Sequence, residues 1–134
     1  MNDQAIEQEI QAKGKTAPRI TPSDIRQAIT DEFYFTAAQG ISAAYPIPAT
    51  SIDLPSGVKL LTFCVLVLRN GFTVTGESAC ASPENFDAEI GRKIARQNAE
   101  QKIWMLEGYL LKDALHKRAV FDAEPKVGYG PGAA

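Results

Sequence analysis

The fold follows mainly from residues Val58 to Leu111, whose sequence is VKLLTFCVLVLRNGFTVTGESACASPENFDAEIGRKIARQNAEQKIWMLEGYLL. An apolar, β-rich run leads into Asn70-Gly71, the dipeptide most typical of a tight hairpin turn. A more polar β-rich run follows, and apolar residues then recur at helical spacing for about seven turns. This stretch predicts a hairpin of about Lys59–Arg69 and Phe72–Cys80, packed against a helix of about Pro83–Leu115.

The turn also predicts how the two strands pair. A two-residue turn at Asn70-Gly71 would pair the two residues that flank it directly, and this fixes every other pair along the hairpin. Cys64 would then lie opposite Glu77, and Cys80 would lie opposite Leu61. The two sulfur atoms would be about 10 Å apart, beyond the reach of a disulfide. We therefore expect both cysteines to be reduced and to act as small apolar residues.

In this register the hairpin has two faces of different character. The first is apolar enough to form the core against the long helix, and it comprises Leu61, Phe63, Val65, Val67, Val74, Gly76, Ser78 and Cys80. The second combines Leu66 and Leu68 with polar residues of the returning strand. Because these leucines are too apolar to remain in water, the N-terminal helix or a second copy of the chain must cover them. We expect a homo-oligomer, a dimer or higher.

Helix signals lie on both sides of the hairpin. Ser82 and Pro83 are typical of the capping and first positions of a helix, and Thr21 and Pro22 repeat this signal for a short N-terminal helix. That helix is predicted to carry Ile25, Ala28, Ile29 and Phe33 on its apolar face and to close at Gly40. Three prolines between Tyr45 and Gly57 predict an extended loop.

The predicted fold class is therefore α+β: an antiparallel hairpin or small sheet packed against a long C-terminal helix, with a short N-terminal helix. A length of 134 residues suits one domain with one modest core. Residues 1–18 are expected to form a flexible polar arm, residues 19–116 the single α+β domain, and residues 117–134 a flexible tail.

Composition limits the classes of function. A net charge of −2 and an isoelectric point near 5.4 argue against a general nucleic-acid binder, which needs a basic surface. The longest apolar run is too short to span a bilayer, and the first residues lack the basic and apolar regions of a secretory signal, so a cytoplasmic protein is expected. One histidine and two distant cysteines do not suggest a metal site, and no cofactor is expected.

Arginine and aromatic residues provide the candidate binding residues. Arg92 and Arg96 are four residues apart and hence neighbours on one helix face, where two guanidinium groups suit the binding of a phosphate. Arg69 and Phe72 flank the turn and could hold a base between them. Asn85, near the helix start, could bind a base edge or a ribose.

Structural explanations compete with each of these roles. Arg92 and Arg96 fit a solvated helix face with Glu89 and Glu100 as partners, which is the commoner situation in proteins. The arginine and the aromatic residue at the turn also fit simple packing at a hairpin end. No serine–histidine pair or glycine-rich phosphate loop with motif support occurs in the chain, so an enzyme is not expected.

The stretches LTFCVLVLRNGF, SACASPENFDAEIG and KIWMLEGYLL, with RITPSDIRQAI and EFYFTAAQG upstream, resemble a family of small tailed-phage and prophage proteins of unassigned function. The resemblance covers about Arg19 to Leu111. Through that family the chain is also similar to the Thoeris anti-defence proteins that act as sponges. Those are oligomers that hold cyclic ADP-ribose-type signals, and in some cases cyclic oligonucleotides, without cleaving them.

This resemblance implies a phage-encoded accessory protein of the host cytoplasm. It would sequester a cyclic nucleotide or a cyclic ADP-ribose-type signal and so block host anti-phage defence, with no membrane and no general nucleic acid as partner. Two alternatives stay open. One is a module that binds a host or phage protein and no small molecule, and the other is a minor structural or DNA-associated phage protein, which the acidic balance disfavours.

Overall fold

A computed structural model describes residues 2–15, 17–45 and 54–125 of the chain. Its strands are β1 (Ile29–Thr36), β2 (Leu61–Leu68) and β3 (Thr73–Ala79), and its helices are α1 (Asp3–Ala12), α2 (Pro22–Ala28), α3 (Ala37–Ala44), α4 (Ser56–Lys59) and α5 (Ala88–Ala123). The strands form one antiparallel sheet in the order β1-β2-β3, and α5 packs on one face of it. The predicted α+β class is confirmed. Among the described residues, no helix is long and apolar enough to cross a membrane.

The β2–β3 loop has three residues, 69 to 71, rather than the predicted two. The Leu68 N–H donates to the Phe72 carbonyl and the Gly71 N–H donates to the Leu68 carbonyl, both at 2.8 Å. A two-residue type I′ turn needs positive φ at both Asn70 and Gly71, and of the two only Gly71 has it, at +87°. The predicted register was therefore wrong by one residue.

This shift changes which hairpin face meets the helix. Cys64 lies opposite Gly76 rather than Glu77, and Cys64, Leu66 and Val74 are buried. The face that carries Leu66 therefore packs against α5, and the prediction that the other face of β2 does so was wrong. The shift of one residue in register places Val74 and Gly76 of β3 opposite Leu66 and Cys64 of β2, on the same face as these two residues. Both cysteines are free thiols, as expected.

Gly76 sets the distance between α5 and the sheet. A Cβ at this position would collide with the backbone of Ala95 and Ala99 on α5. Small residues on both elements thus let the helix axis approach the strands closely. The core they enclose is compact, with Leu66, Ile103 and Cys64 as its largest fully buried side chains.

The other sheet face remains partly open to solvent. Four apolar residues of β2 lie half-buried on this face, namely Leu61, Phe63, Val65 and Val67. Phe33 and Phe35 of β1 join them, with 57% and 39% of their surfaces exposed. The rings of Phe35 and Phe63 pack with their centroids 5.5 Å apart. The sheet therefore has an apolar second face, although its strands contribute residues other than those predicted.

The predicted N-terminal helix is only partly correct. Its cap is confirmed, since the Thr21 hydroxyl accepts from the Asp24 N–H and the Asp24 carboxylate accepts from the Thr21 N–H. The helix ends at Ala28, however, and residues 29–36 form β1 paired with β2, which places Phe33 beside Val65. Long-range strand pairing overrides the helical spacing here. Gly40, predicted as a helix end, lies inside α3.

The long helix also begins and ends later than predicted. Residues Pro83–Asn85 form a short 3₁₀ turn, and Asp87 rather than Ser82 caps α5 by accepting from two backbone N–H groups. The helix runs for 36 residues, and its buried residues extend only from Gly91 to Glu107. At 1.5 Å per residue, about 24 Å of helix continues beyond that core contact.

The chain before α2 contains a helix held by polar contacts. Arg19 donates to both oxygens of buried Glu7 at 2.6 Å, and the Trp104 indole N–H donates to Asp3 at 3.1 Å. These contacts tie α1 to the segment before α2 and to α5. The flexibility expected for residues 1–18 and 117–134 stays a prediction, and residues 126–134 and most of the proline-rich loop lie outside the described residues.

Candidate functional site

The side of α5 that faces β1 carries Arg92 and Arg96. Four residues of helix rise by about 6 Å, close to the spacing of alternate residues in a strand. Arg96 accordingly forms ion pairs with Glu32 of β1 and with Glu100, one turn further along α5. Arg92 lies near Tyr34 and Thr36, the next residues on the same side of β1. The structure thus brings the two predicted arginines together.

A small cleft opens beside Arg92, which we call the Arg92 cleft. Its volume is about 240 Å³, and it is lined by Tyr34, Phe35, Thr36, Gln39, Thr62, Phe86, Ala88 and Arg92. No residue in the described part of the chain forms an ion pair with Arg92, so its guanidinium keeps its donors for a ligand. The cleft combines a free cation, an aromatic ring and hydroxyl groups, which are chemically suited to a phosphorylated ligand.

The hydroxyl groups of the cleft are neutral donors. Burial, followed by the neighbouring Cys64 thiol, raises the pKa of Tyr34 to about 12, while the Arg92 guanidinium acts in the opposite direction. Tyr34 therefore stays protonated at neutral pH. Thr62 is 3% exposed, and a Cβ on Gly91 would approach its hydroxyl oxygen to 3.2 Å. Glycine at position 91 thus lets α5 approach Thr62 closely, and the two residues bury each other at the floor of the cleft.

Arg96 differs from Arg92 because two carboxylates already engage it. Its Nε donates to Glu100 at 2.7 Å, and a terminal nitrogen pairs with Glu32. The expected pairing with Glu100 is confirmed, and Lys93 pairs with Glu89 at 3.4 Å. An anion that binds Arg96 would have to displace these carboxylates or share the guanidinium donors with them. Arg92 is thus the stronger candidate for binding an anion.

Arg69 and Phe72 lie beside the middle of α5, where its contact with the sheet ends. Arg69 donates to both carboxylate oxygens of Glu107, at 2.6 and 3.1 Å. Glu107 follows Arg92 by fifteen residues, so these two predicted residues lie about 22 Å further along the helix. One small ligand cannot span that distance within a single chain. Their role in binding stays a prediction that needs a second copy.

A wide apolar groove lies beside Arg69, which we call the hairpin-end groove. Its volume is about 530 Å³, and it is lined by Leu68, Arg69, Asn70, Phe72, Met105, Leu106, Glu107, Tyr109 and Leu110. Met105 is 78% exposed, Tyr109 74% and Phe72 57%. Large apolar side chains so exposed are typical of surfaces that bind another protein.

Asn85 completes the predicted set. It lies exposed in the 3₁₀ turn, one residue before Phe86 of the Arg92 cleft. The sequence alone did not reveal Tyr34, Thr62 or Phe86 as members of this cleft. The spacing of apolar residues predicts helix up to Phe33, whereas in the strand that forms there alternate residues put Tyr34 on the side of β1 facing α5.

Comparison with known proteins gives one match. Residues 20–115 match the family described as "Phage protein (N4 Gp49/phage Sf6 gene 66) family". No curated protein and no solved structure matches the chain. The match covers the sheet, α2, α3 and most of α5, including all five predicted binding residues.

Proposed function

The chain belongs to this phage protein family, and we propose that it sequesters a small anionic nucleotide signal of host anti-phage defence. The signal would be a cyclic nucleotide or a cyclic ADP-ribose-type molecule, bound in the host cytoplasm and released unchanged. The sequence resemblance to Thoeris anti-defence sponges supports this proposal. The observation that carries it is Arg92, whose guanidinium has no ion-pair partner among the described residues and lies beside Phe86 and the Thr36 hydroxyl.

The chemistry of the Arg92 cleft suits binding without turnover. The guanidinium fork can donate two parallel hydrogen bonds to a phosphate. The Thr36 hydroxyl accepts from the Gln39 N–H and can donate its own hydrogen to a remaining phosphate oxygen. Phe86 offers an apolar ring for a ribose or a base. No lining residue of this cleft is a carboxylate, histidine or thiol that could act as a general base. We therefore propose a binding protein and not an enzyme.

The size of the cleft favours a site shared between copies. Pockets that enclose drug-sized ligands have volumes of about 300–1,000 Å³, and the 240 Å³ of this cleft falls below that range. A dinucleotide-sized ligand would therefore extend out of a single chain. A second subunit would close the site, and Arg69 and Phe72 could reach the ligand only from that subunit. We accordingly propose a homo-oligomer, a dimer or higher, as the binding form.

Titration calorimetry of the full chain against cyclic dinucleotides, cyclic trinucleotides and cyclic ADP-ribose isomers tests this function. One charge-assisted contact contributes about 1.5–3 kcal/mol, so Arg92→Ala should weaken binding about 10- to 150-fold. Arg118→Ala removes the same charge from an exposed position on α5 and should leave the affinity unchanged. Mass spectrometry of the ligand released by denaturation should show an intact molecule.

Two results would overturn the proposal. One is the absence of heat with every ligand in the panel. The other is an equal loss of affinity in Arg92→Ala and Arg118→Ala, which would indicate binding through net charge alone. Circular dichroism of both variants checks that each retains its helical fold.

The hairpin-end groove supports a second candidate, a module that binds a protein and no small molecule. Its apolar lining lacks the free cation that an anionic ligand requires, since Glu107 already engages Arg69. This candidate predicts no heat with the nucleotide panel. It also predicts that Met105→Glu abolishes the effect of the protein on host anti-phage defence, measured as phage growth, and that Arg92→Ala leaves this effect intact. The reverse pattern would favour sequestration.

A further inference from the structure

The end of α5 carries apolar residues that its own sheet does not cover. We call residues 108–123 the α5 arm. Every residue from Ala114 to Ala123 is exposed, including Val120 at 45% and Phe121 at 69%. A single helix of this length is marginally stable by itself in water, so tertiary or quaternary packing would stabilise it. The apolar residues must therefore be explained by a partner.

The spacing of residues along the arm shows which side that partner would contact. Intervals of four and three residues connect Leu106, Leu110, Asp113, Lys117 and Val120. This spacing places them in one stripe along the helix, as in helices that pair lengthwise. The stripe starts in the hairpin-end groove and continues out along the arm.

We propose that two copies of the chain pack their α5 arms antiparallel, around a twofold axis at Leu115. Each residue then faces the residue of the other copy at the same distance beyond the axis. Leu110 faces Val120 of the other copy, and Tyr109 and Phe121 flank the stripe on its two edges. Asp113 faces Lys117 of the other copy. The end of each arm thereby covers the hairpin-end groove of the other.

Charge complementarity selects this arrangement over its alternative. In an antiparallel pair each Asp113 meets a Lys117, and the apolar positions meet apolar positions. In a parallel pair in register, Asp113 would meet Asp113 and Lys117 would meet Lys117, and like charges repel. Within one chain the Asp113 and Lys117 side chains already lie 2.9 Å apart. The antiparallel pair extends this contact into a four-residue network.

The stripe and its two edges expose a large apolar surface. Five side chains contribute most of it, namely Phe72, Tyr109, Leu110, Val120 and Phe121. From their exposed fractions, between 45% and 74%, they present on the order of 500 Å². That is close to the largest apolar patch of a typical monomer, and the Asp113 and Lys117 pairs add to it towards the roughly 800 Å² per partner of standard interfaces. A second copy supplies an apolar surface of equal size.

Sedimentation equilibrium on the full chain tests the dimer. We expect twice the chain mass of 14.5 kDa at micromolar concentration. Val120→Glu places a charge in the stripe of both copies and should raise the dimer dissociation constant on the order of 100-fold or more. Leu115→Glu is the matched control, because Leu115 lies on the opposite side of the helix from Asp113 and Lys117. It should leave the mass unchanged.

Disulfide trapping in a Cys80→Ser background tests the direction of the helices. Leu110→Cys combined with Val120→Cys should cross-link two chains under mild oxidation. Leu110→Cys alone should not, because in the antiparallel pair the two copies of position 110 are about 15 Å apart along the axis. A monomeric wild type would overturn the proposal, as would cross-linking by Leu110→Cys alone or dissociation by Leu115→Glu alone. By helix rise this dimer places Arg69 of one copy on the order of 45 Å from Arg92 of the other, so the contact that closes the Arg92 cleft around a ligand is a different one. These readouts use no nucleotide, and their outcome is therefore independent of sequestration.

Discussion

Replacing Gly76 by alanine should remove a large part of this protein's free energy of unfolding. The new methyl group would meet the backbone of Ala95 and Ala99, which cannot rotate away as a side chain can. The helix must therefore move outward by on the order of 1 Å. A gap of that size forfeits a quarter to a half of each dispersion contact, and a buried leucine makes 40–60 such contacts of about 0.1–0.2 kcal/mol.

This estimate gives the expected magnitude. Only part of these contacts cross from the sheet to the helix, so each of the three largest fully buried side chains should lose about 1–2 kcal/mol, and Gly76→Ala should lower the free energy of unfolding by about 3–6 kcal/mol. A domain of this size has about 5–15 kcal/mol in total. The loss should appear as a lower urea midpoint in a denaturation followed by circular dichroism.

Gly108 provides the matched control. It also lies in α5, but no atom lies within 4 Å of a Cβ built there. Gly108→Ala should raise the free energy of unfolding by about 0.5–1 kcal/mol, because alanine favours a helix interior. A loss below about 1 kcal/mol at Gly76, with an unchanged denaturant slope, would refute the close packing of helix and sheet.

Two further predictions concern the ion pairs. The side-chain hydrogen bond from Arg19, followed by the one from Gln11, lowers the pKa of Glu7 from 4.5 to about 2. Because the folded pKa is depressed, the stabilisation of α1 should be complete above pH 4.5 and disappear as the pH falls towards 2. The emission of Trp104, the one tryptophan, should shift to the red over that window, whereas Glu7→Gln should show the shift already at pH 7. Near the middle of α5, Arg69→Ala leaves the buried carboxylate of Glu107 unpaired and should lower the free energy of unfolding, measured in urea, by about 1–3 kcal/mol. Adding Glu107→Ala should recover part of that loss, and an additive loss would contradict the pairing.

Local patterns in the sequence predicted the elements that depend on neighbouring residues. The helical stripe of α5, the cap at Thr21 and the β-rich runs around Asn70-Gly71 were all sufficient for that purpose. The pairing register was not, because the Asn-Gly dipeptide fits both a two-residue turn and a three-residue loop. The structure uses the second, with Asn70 accepting a hydrogen bond from the Phe72 N–H.

Strand β1 illustrates the limit for the candidate site. Ile25, Ala28, Ile29 and Phe33 fit a helix by spacing, and only pairing with β2 makes residues 29–36 a strand. Since Tyr34 reaches the Arg92 cleft through that strand, the cleft could not be assembled from the sequence. Arg92 and Arg96 could be predicted as neighbours because their proximity depends on the helix alone. Their different partners depend on β1.

The close fit of α5 on the sheet places its small residues inside and many of its large ones outside. Gly91, Ala95 and Ala99 face the strands, whereas Met105 and Tyr109 face solvent. Folding of the subunit therefore depends on one set of residues of this helix, and the partner that we propose would contact another set. A phage lineage can exchange the outer set, and with it the partner, while the inner set keeps the same subunit. This division would let one small scaffold follow a changing host.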